Sequence, residues 1–573
     1  MKKSLRFVAM ALALVAFSST QAQCPTGETQ VTVSVTTDQW GTETTWSLTG
    51  LGGTPVYASG GPYTNLGAAG TTDQPSVNAC VPDGVVLVFT MNDSYGDGMC
   101  CAYGSGSYSV TAGATTLAGN TNFTGSQDLS YFITGGQSAL DLAPLSVNLP
   151  AVVAQGNVTI GGVVRNFGTT AITGFTLNYS VDGGATVSAP ISANIAPASN
   201  YTFSHPTAWA ATTGSHVINV WTSAPNGGTD GNTVNDQMST TVSVASQSVQ
   251  RKVLIEEFTS STCAPCASYN VTFDPLLTSL STNTGSSNIA AVKYQMNWPS
   301  PGTDPSYNPD GVTRRTFYGV SGIPDVFLNG AAIQNSYANN ATNLNNEAAL
   351  PAFCSIDLNA TYAGNTLTVN ATVTPHANFG ANHKLFIAAI ESYSYQGTTS
   401  QNQFKHAQRK MLPNGSGITL TTLQDGVAQN FTQSYNFTQG GVAQGNYNLW
   451  GQIANVKVVA FVQNTSTKQV LQAAFVGQLS VGIDEANALD RRLTLFPNPT
   501  DGLMNLSFDL PSATNVRFQV LDLAGQEVMV ANRGFGSGEQ RHDLDLSALA
   551  NGSYMVVVTA DGLTATRKVT VSK

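Results

Sequence analysis

The chain has 573 residues, only 10% of them Asp, Glu, Lys or Arg, with 55 glycines and seven cysteines. Single cores stop growing near ~250 residues, so this length implies about four or five domains, and the lean charge with abundant Gly, Thr, Ser and Asn favours turn-rich β-sandwich modules. The formal charge of −10 becomes −13 without the leader residues Lys2, Lys3 and Arg6, a balance that argues against nucleic acid as a partner.

The opening residues, MKKSLRFVAMALALVAFSSTQAQ, combine a basic start, an apolar run from Phe7 to Phe17 and small residues ending at Ala22. They read as a secretory signal peptide over residues 1–22, with cleavage expected after Ala22. A lipid anchor needs a small residue directly before its cysteine, but Gln23 precedes Cys24, so the mature chain is expected to be released. No later stretch reaches the roughly 18 to 20 uninterrupted apolar residues of a spanning helix.

Residues 23–136 form a β-rich module: QVTVSVTTDQW, VVLVFTM and SYSVTAG alternate as strands between glycine turns. Four cysteines, Cys24, Cys80, Cys100 and Cys101, fall here, an even count that reads as two structural disulfides in an exported module. A bond between the neighbours Cys100 and Cys101 would be strained, so each is expected to pair with Cys24 or Cys80. The loop NDSYGDGMCCAYGSGSY offers Asp93, Asp97 and backbone carbonyls to a structural calcium, a hard cation that takes oxygen ligands. Its spacing is not that of the twelve-residue EF-hand loop, and Asp-Gly is also ordinary turn chemistry.

Over residues 137–246 the segments NVTIGGVVRNFG, FTLNYSVDGG and HVINVWTSA repeat the strand-turn pattern without cysteine. This module resembles the Ig-like adhesion-related β-sandwiches of bacterial surface proteins, which implies spacing or binding, not chemistry.

The pattern changes over 247–350. KVLIEEF reads as a strand, ASYNVTFDPLLTSL has apolar residues at helical spacing, and NIAAVKYQM and the Pro-containing GVSGIPDVFLNG are further strands before a closing helix in SYANNATNLNNEAAL. Strands alternating with helices imply an α/β sheet set among β domains. Between the first strand and helix lies FTSSTCAPCASYN, with Cys263 at the helix entry and Cys266 one turn inside. Zinc would require four ligands, but outside the N-terminal module only Cys354 remains, and none of the six histidines forms an H-x-x-x-H pair. A helix N-terminus lowers the pKa of a cysteine placed on it, so the pair fits a redox centre; a permanent staple is the alternative.

VLIEEFTSSTCAPC, with Glu257 six residues before Cys263, and the turn Gly322-Ile323-Pro324 resemble thioredoxin-like proteins. The resemblance implies Cys263 as attacking thiolate, Cys266 as resolving thiol, Pro324 as a cis proline that docks the substrate chain and Glu257 as the group assisting proton transfer. Thr262 stands where that family usually has tryptophan and Ala264 where it has glycine, which bears on substrate range and potential.

Residues 351–485, with CSIDLNATY, TLTVNATVTP, KLFIAAIESYS and VKVVAFVQN, read as another sandwich. NWPSPGTDPSY, RRTFYGVSGIPDVFLNG and a stretch from Glu391 through His406 to Arg409 resemble the outer membrane protein 28-related family over Val249 to Val481. Cys354 alternates with Ala352, Ile356 and Leu358 and is expected to be a buried free thiol.

The tail, 486–573, carries FPNPTDG, VLDLAGQEV, LSALANGSYMVVV and the ending RKVTVSK. These stretches resemble the type A sorting domain of the type IX secretion system, implying that machinery as a partner and export to the cell surface or medium.

The expected fold is therefore multidomain and mainly β, Ig-like and β-sandwich modules with one embedded α/β thioredoxin-like domain. Two functions stay open: thiol–disulfide exchange on exported proteins, with no cofactor required, or a non-enzymatic surface adhesin whose CAPC disulfide is structural and whose outer modules bind surface ligands. H-E-x-x-H, G-x-S-x-G and the phosphate loop G-x-x-x-x-G-K are not found.

Overall fold

The structure, a computed structural model, describes residues 24–300, 302–477, 479–481, 493–510, 513–523, 525–560 and 563–573. The signal-peptide segment and the charged linker around DEANALDRR lie outside the described residues. The chain divides into two compact units, one ending at Gln247 and including Ala377–Phe379, the other comprising Ser248–His376 and Gly380–Lys573.

In the first unit, β1 (Glu28–Thr37), β2 (Thr44–Gly50), β3 (Val77–Pro82), β4 (Leu87–Asp93), β5 (Ser107–Ala112) and β6 (Gln127–Phe132) build two facing sheets. β1 lies between β3 and β5 in one; β2 and β4 pair in the other, with β6 beyond. Alternation places Val31, Val33 and Val35 in one core with Trp46, Leu48, Phe89 and Met91.

The disulfides correct the expected pairing: Cys24 joins Cys80, and Cys100 joins its neighbour Cys101. The reason is distance along β1. Cys80 stands opposite Gln30, whereas the loop holding Cys100 and Cys101 leads into Ser107, which stands opposite Thr36. Six residues of strand are ~20 Å, far beyond the span of a disulfide. A tight turn, Glu28 N–H to Pro25 O at 3.1 Å, brings Cys24 back to Cys80.

The second module is a sandwich of a five-stranded and a three-stranded sheet around Leu142, Val164, Phe175, Leu177, Trp209 and Val220.

The second unit opens with β7 (Val253–Thr259), α1 (Ala264–Ser279), β8 (Ile289–Gln295), α2 (Pro309–Tyr318), β9 (Asp325–Leu328), β10 (Ala331–Ile333) and α3 (Ala341–Ala349). The strand order is β10-β9-β7-β8, with β8 parallel and β9 antiparallel to β7. The sequence places a boundary at 350/351, yet the sheet runs across it. β11 (His383–Ser394), β12 (Gln403–Leu412), β13 (Lys457–Asn464) and β14 (Val470–Val476) extend it, joined where Lys293 of β8 pairs with Ala407 of β12. One nine-stranded sheet results. A second, four-stranded sheet contains Cys354–Ala363 and Thr366–Pro375.

Every residue of β7 is buried, so it reads as a continuous apolar run interrupted only by Glu256 and Glu257. Val253 and Ile255 pack with Phe273 and Leu277 of α1 and Leu344 of α3. Leu254 and Phe258 pack on the other face with Tyr294, Tyr318 and Phe461. Tyr318 comes from α2, within the long segment that joins β8 to β9, an insertion relative to a plain thioredoxin-like pattern. The Asn308 side chain caps it by accepting from Gly311 N–H at 3.2 Å, Pro309 starts it, and Gly319 ends it at φ 75°. From α2, Arg314 reaches Glu256 at 2.8 Å, and Tyr294 donates to the same carboxylate at 2.8 Å.

The C-terminal module pairs a three-stranded with a four-stranded sheet over Met504, Leu506, Phe508, Val516, Phe518, Val556 and Val558. Among the described residues no helix is long and apolar enough to cross a membrane.

Replacing Arg314 by Met leaves the Glu256 carboxylate buried without its cation. A loss of ~3–5 kcal/mol is expected, read as a lower urea midpoint for the second unit, and an unchanged midpoint would show the pair to be dispensable.

Candidate functional site

Cys263 is the N-cap of α1 and is joined to Cys266 by a disulfide. Its sulfur accepts from the Cys266 N–H at 3.1 Å, so the sulfur occupies the place a capping oxygen takes on other helices. Pro265 at the helix start costs no backbone bond there. The first turn directs the positive end of the helix at Cys263, which favours its thiolate once the bond opens. Across from it the Ile323 carbonyl lies 3.8 Å from the sulfur, and Ile323–Pro324 is a cis peptide.

On the face of β7 that carries α1, Glu257 is fully buried and lies 2.6 Å from Lys293 of β8. Lys293 also donates to Asp274 at 2.7 Å and to Asn270 at 2.8 Å. Burial pushes the Glu257 carboxyl up against the pull of Lys293. Lys293 is held above its ordinary value because Glu257 and Asp274 outweigh the burial that works against its charge. Cys266, Asn270 and Asp274 recur at intervals of four along α1, all buried, so they form one row over the Glu257–Lys293 pair. Sequence reasoning named Glu257 and the cysteines but missed Lys293, Asn270 and Asp274. The signal was present: a lysine inside the apolar strand NIAAVKYQM, and that spacing of four.

The disulfide is covered. Cys263 is 1% exposed and Cys266 0%. The loop just before them is held from two sides: Ser261 N–H donates to Asp304 at 2.7 Å and Thr262 Oγ1 to the Trp298 carbonyl at 3.3 Å, while Thr399 Oγ1 donates to the Ser261 carbonyl at 3.2 Å. The first two partners lie in the insertion, the third in the β11–β12 hairpin. Glu391 and Arg409, singled out in sequence, form an ion pair at 3.3 Å that also takes the Trp450 N–H. His406 bonds instead to Asn283 at 3.1 Å, and burial lowers its pKa to about 3, so the imidazole is neutral.

In the first unit, Asp93 is buried and accepts from Gly96 N–H at 2.6 Å, while Asp97 is exposed. A carboxylate the sequence reading did not name, Glu43, joins them: ligand atoms of all three lie within 4.8 Å of one another. Cys354 is a free, fully buried thiol.

Residues 494–572 match the model of the secretion system C-terminal sorting domain. The tail is a type IX sorting domain. It implies the type IX secretion machinery as a partner and places the protein at the cell surface or outside the cell. No curated relative matches the chain. Among solved structures, a domain of the outer membrane lipoprotein Omp28 from Porphyromonas gingivalis is similar at 15% identity, covering 23% of this chain and 92% of that one, with a TM-score of 0.17. The CARDB domain of a Pyrococcus furiosus protein, solved in complex with di-metal ions, is similar at 18% identity over 19% of this chain and 94% of its own, TM-score 0.17. A domain of a putative cell surface protein from Methanosarcina acetivorans is 21% identical over the same shares, TM-score 0.17.

Burial pushes the Cys354 thiol up to about 12. The native, non-reduced chain is therefore expected to leave Cys354 unlabelled by a bulky maleimide at pH 8, with full labelling in urea; rapid native labelling would show an accessible thiol.

Proposed function

We propose that this secreted, modular surface protein carries a thioredoxin-like thiol–disulfide centre at Cys263 and Cys266, acting on thiols of other exported proteins. The observation that carries the reading is the placement of the Cys263 sulfur on the N-terminus of α1, beside the Ile323–Pro324 turn and on the face of the buried Glu257–Lys293 pair. The strand order β10-β9-β7-β8 with one antiparallel member supports it.

In the oxidised state a substrate thiolate attacks the Cys263 sulfur. The Cys263–Cys266 bond breaks, Cys266 leaves as a thiolate with the electron pair, and it takes up its proton by way of the buried Glu257–Lys293 pair on that face. A second substrate thiolate then attacks the substrate sulfur of the mixed disulfide and releases Cys263 as a thiolate on the helix N-terminus. Two electrons pass to the cysteine pair, the substrate leaves as a disulfide, and an external disulfide re-oxidises the pair. Pro324 lines the docking side. The burial of Cys263 makes displacement of the cover over Ser260–Thr262 part of any exchange with a protein.

The same burial favours a second reading, in which the disulfide is a staple and the outer modules bind ligands. A cleft of about 700 Å³ in the first unit fits that role. Arg165, Phe167, Tyr131 and Phe132 line it, and the buried Nε of Arg165 has no hydrogen-bond partner.

Equilibration of the full chain with glutathione, followed by mass-tag counting of the CAPC peptide, separates the two readings. Because the sheet continues into β12, an excised Arg251–Leu350 fragment is not a suitable sample. A potential between about −120 and −270 mV is expected for an exchanging centre, and one below about −300 mV marks a staple. Independently, deleting Leu493–Lys573 is expected to strand the protein in the periplasm; unchanged surface display, read by protease shaving of intact cells, would contradict the role of the tail.

A further inference from the structure

The acidic end of the first sandwich has its own chemistry. Asp93 ends β4, Glu43 immediately precedes β2, and Asp97 follows in the loop after β4. Ser94 N–H donates to the Glu43 carbonyl at 2.9 Å, which ties the two chain segments together. Asp38, just past β1, is 4% exposed and lies near enough to Asp93 and Asp97 to feel their charge. Among the described residues no lysine, arginine or histidine forms an ion pair with any of the four.

A second, independent observation comes from β2. Thr44 is 1% exposed, and its Oγ1 is buried without a hydrogen-bond partner. Leaving a buried hydroxyl without a partner is costly, so it is expected to have one. Thr44 stands directly opposite Asp93 in the antiparallel register, so both side chains project from the same face of the sheet, at the end where the carboxylates gather. Water could satisfy the hydroxyl, but it would leave the carboxylates facing one another without a counter-charge.

We infer that Glu43, Asp93 and Asp97, with the Thr44 hydroxyl and with Asp38 close by, form a binding site for one divalent cation of the calcium type. Oxygen ligands with at least three carboxylates suit a hard cation, and an irregular loop in place of an octahedral cage suits calcium better than magnesium. The carboxylate ligand atoms lie within 4.8 Å of one another, close enough for one cation to bridge them. Gly98, at φ 82° with no room for a Cβ against the Phe123 carbonyl, and the bond from Met99 N–H to Phe123 O at 3.1 Å hold the loop in place just after Asp97. The cation joins the ends of β2 and β4 to that loop, clamping the end of the sandwich.

The test uses terbium as a luminescent stand-in for calcium, on the full chain in chelator-treated buffer with excitation of tryptophan; Trp40 lies two residues from Asp38. The expected result is sensitised emission displaced by calcium but not by equal magnesium, with calcium affinity at least about tenfold lower in Asp97→Asn and in Glu43→Gln. Asp97 is exposed, so its variant is expected to keep the wild-type melting temperature in EGTA, separating loss of the site from loss of the fold. Absence of calcium-displaceable emission in the wild type, or wild-type affinity in both variants, would overturn the site.

Discussion

A strand buried on both faces cannot leave a carboxylate unmatched, and β7 carries two in succession. Period-two geometry sends Glu256 to one face and Glu257 to the other, so each face must supply a cation from a different element. Arg314 meets Glu256 from α2, and Lys293 meets Glu257 from β8, with Asp274 of α1 as a further partner. Removing a partner from such a pair costs far more than the pair contributes over an apolar replacement. The two glutamates therefore fix which helix lies on which face. They also account for the insertion before Ile323, since that insertion contains the helix that neutralises Glu256.

The arrangement around the cysteines follows from those anchors. α1 is held over β7 by its apolar row Phe273 and Leu277 and by the polar row Cys266, Asn270 and Asp274, which leaves its N-terminus, and Cys263, at the end of the sheet where β7 stops. The sheet continues through β12 into the next module, so the β11–β12 hairpin is delivered to the loop before Cys263 by the same hydrogen-bond ladder that forms the core. The cover over the disulfide is thus part of the fold. Any chemistry at Cys263 is coupled to the packing of the β11–β12 hairpin and of the insertion, where Trp298 and Asp304 sit.

Much of this was legible in the residues. The CAPC pair at a strand-to-helix junction, the buried position of Cys354 and the strand patterns of the outer modules all follow from local periodicity, which acts over a few residues. What failed to show acts at long range. The pairing of Cys100 with Cys101 depends on the register of β1 against two other strands, and the sheet crossing the 350/351 boundary depends on one bridge between Lys293 and Ala407, more than 100 residues apart. Helix α2 was hidden because Pro309 and Gly311 at its start resemble loop residues, although Pro in the first turn is a helix-start signal. Glu43 could not be associated with Asp93 from sequence because fifty residues and several strands separate them.

The two units treat scarce charge in opposite ways. In the second unit the buried carboxylates Glu256, Glu257, Asp310 and Glu391 each lie within an ion pair to Arg314, Lys293, Lys410 or Arg409. The chain supplies both members, and these pairs are complete in a single polypeptide. In the first unit Asp38, Glu43, Asp93 and Asp97 converge without such a partner among the described residues, although a chain with 10% charged residues could have dispersed them at little cost. Self-repulsion at the end of a sandwich works against folding unless a positive charge comes from outside, and the unpartnered Thr44 hydroxyl on the same face would be one more oxygen facing that charge. Internal pairing and external neutralisation are alternative solutions to one electrostatic problem. The first rigidifies a core permanently, whereas the second makes the order of a module depend on the ionic composition of the medium into which the sorting tail delivers it.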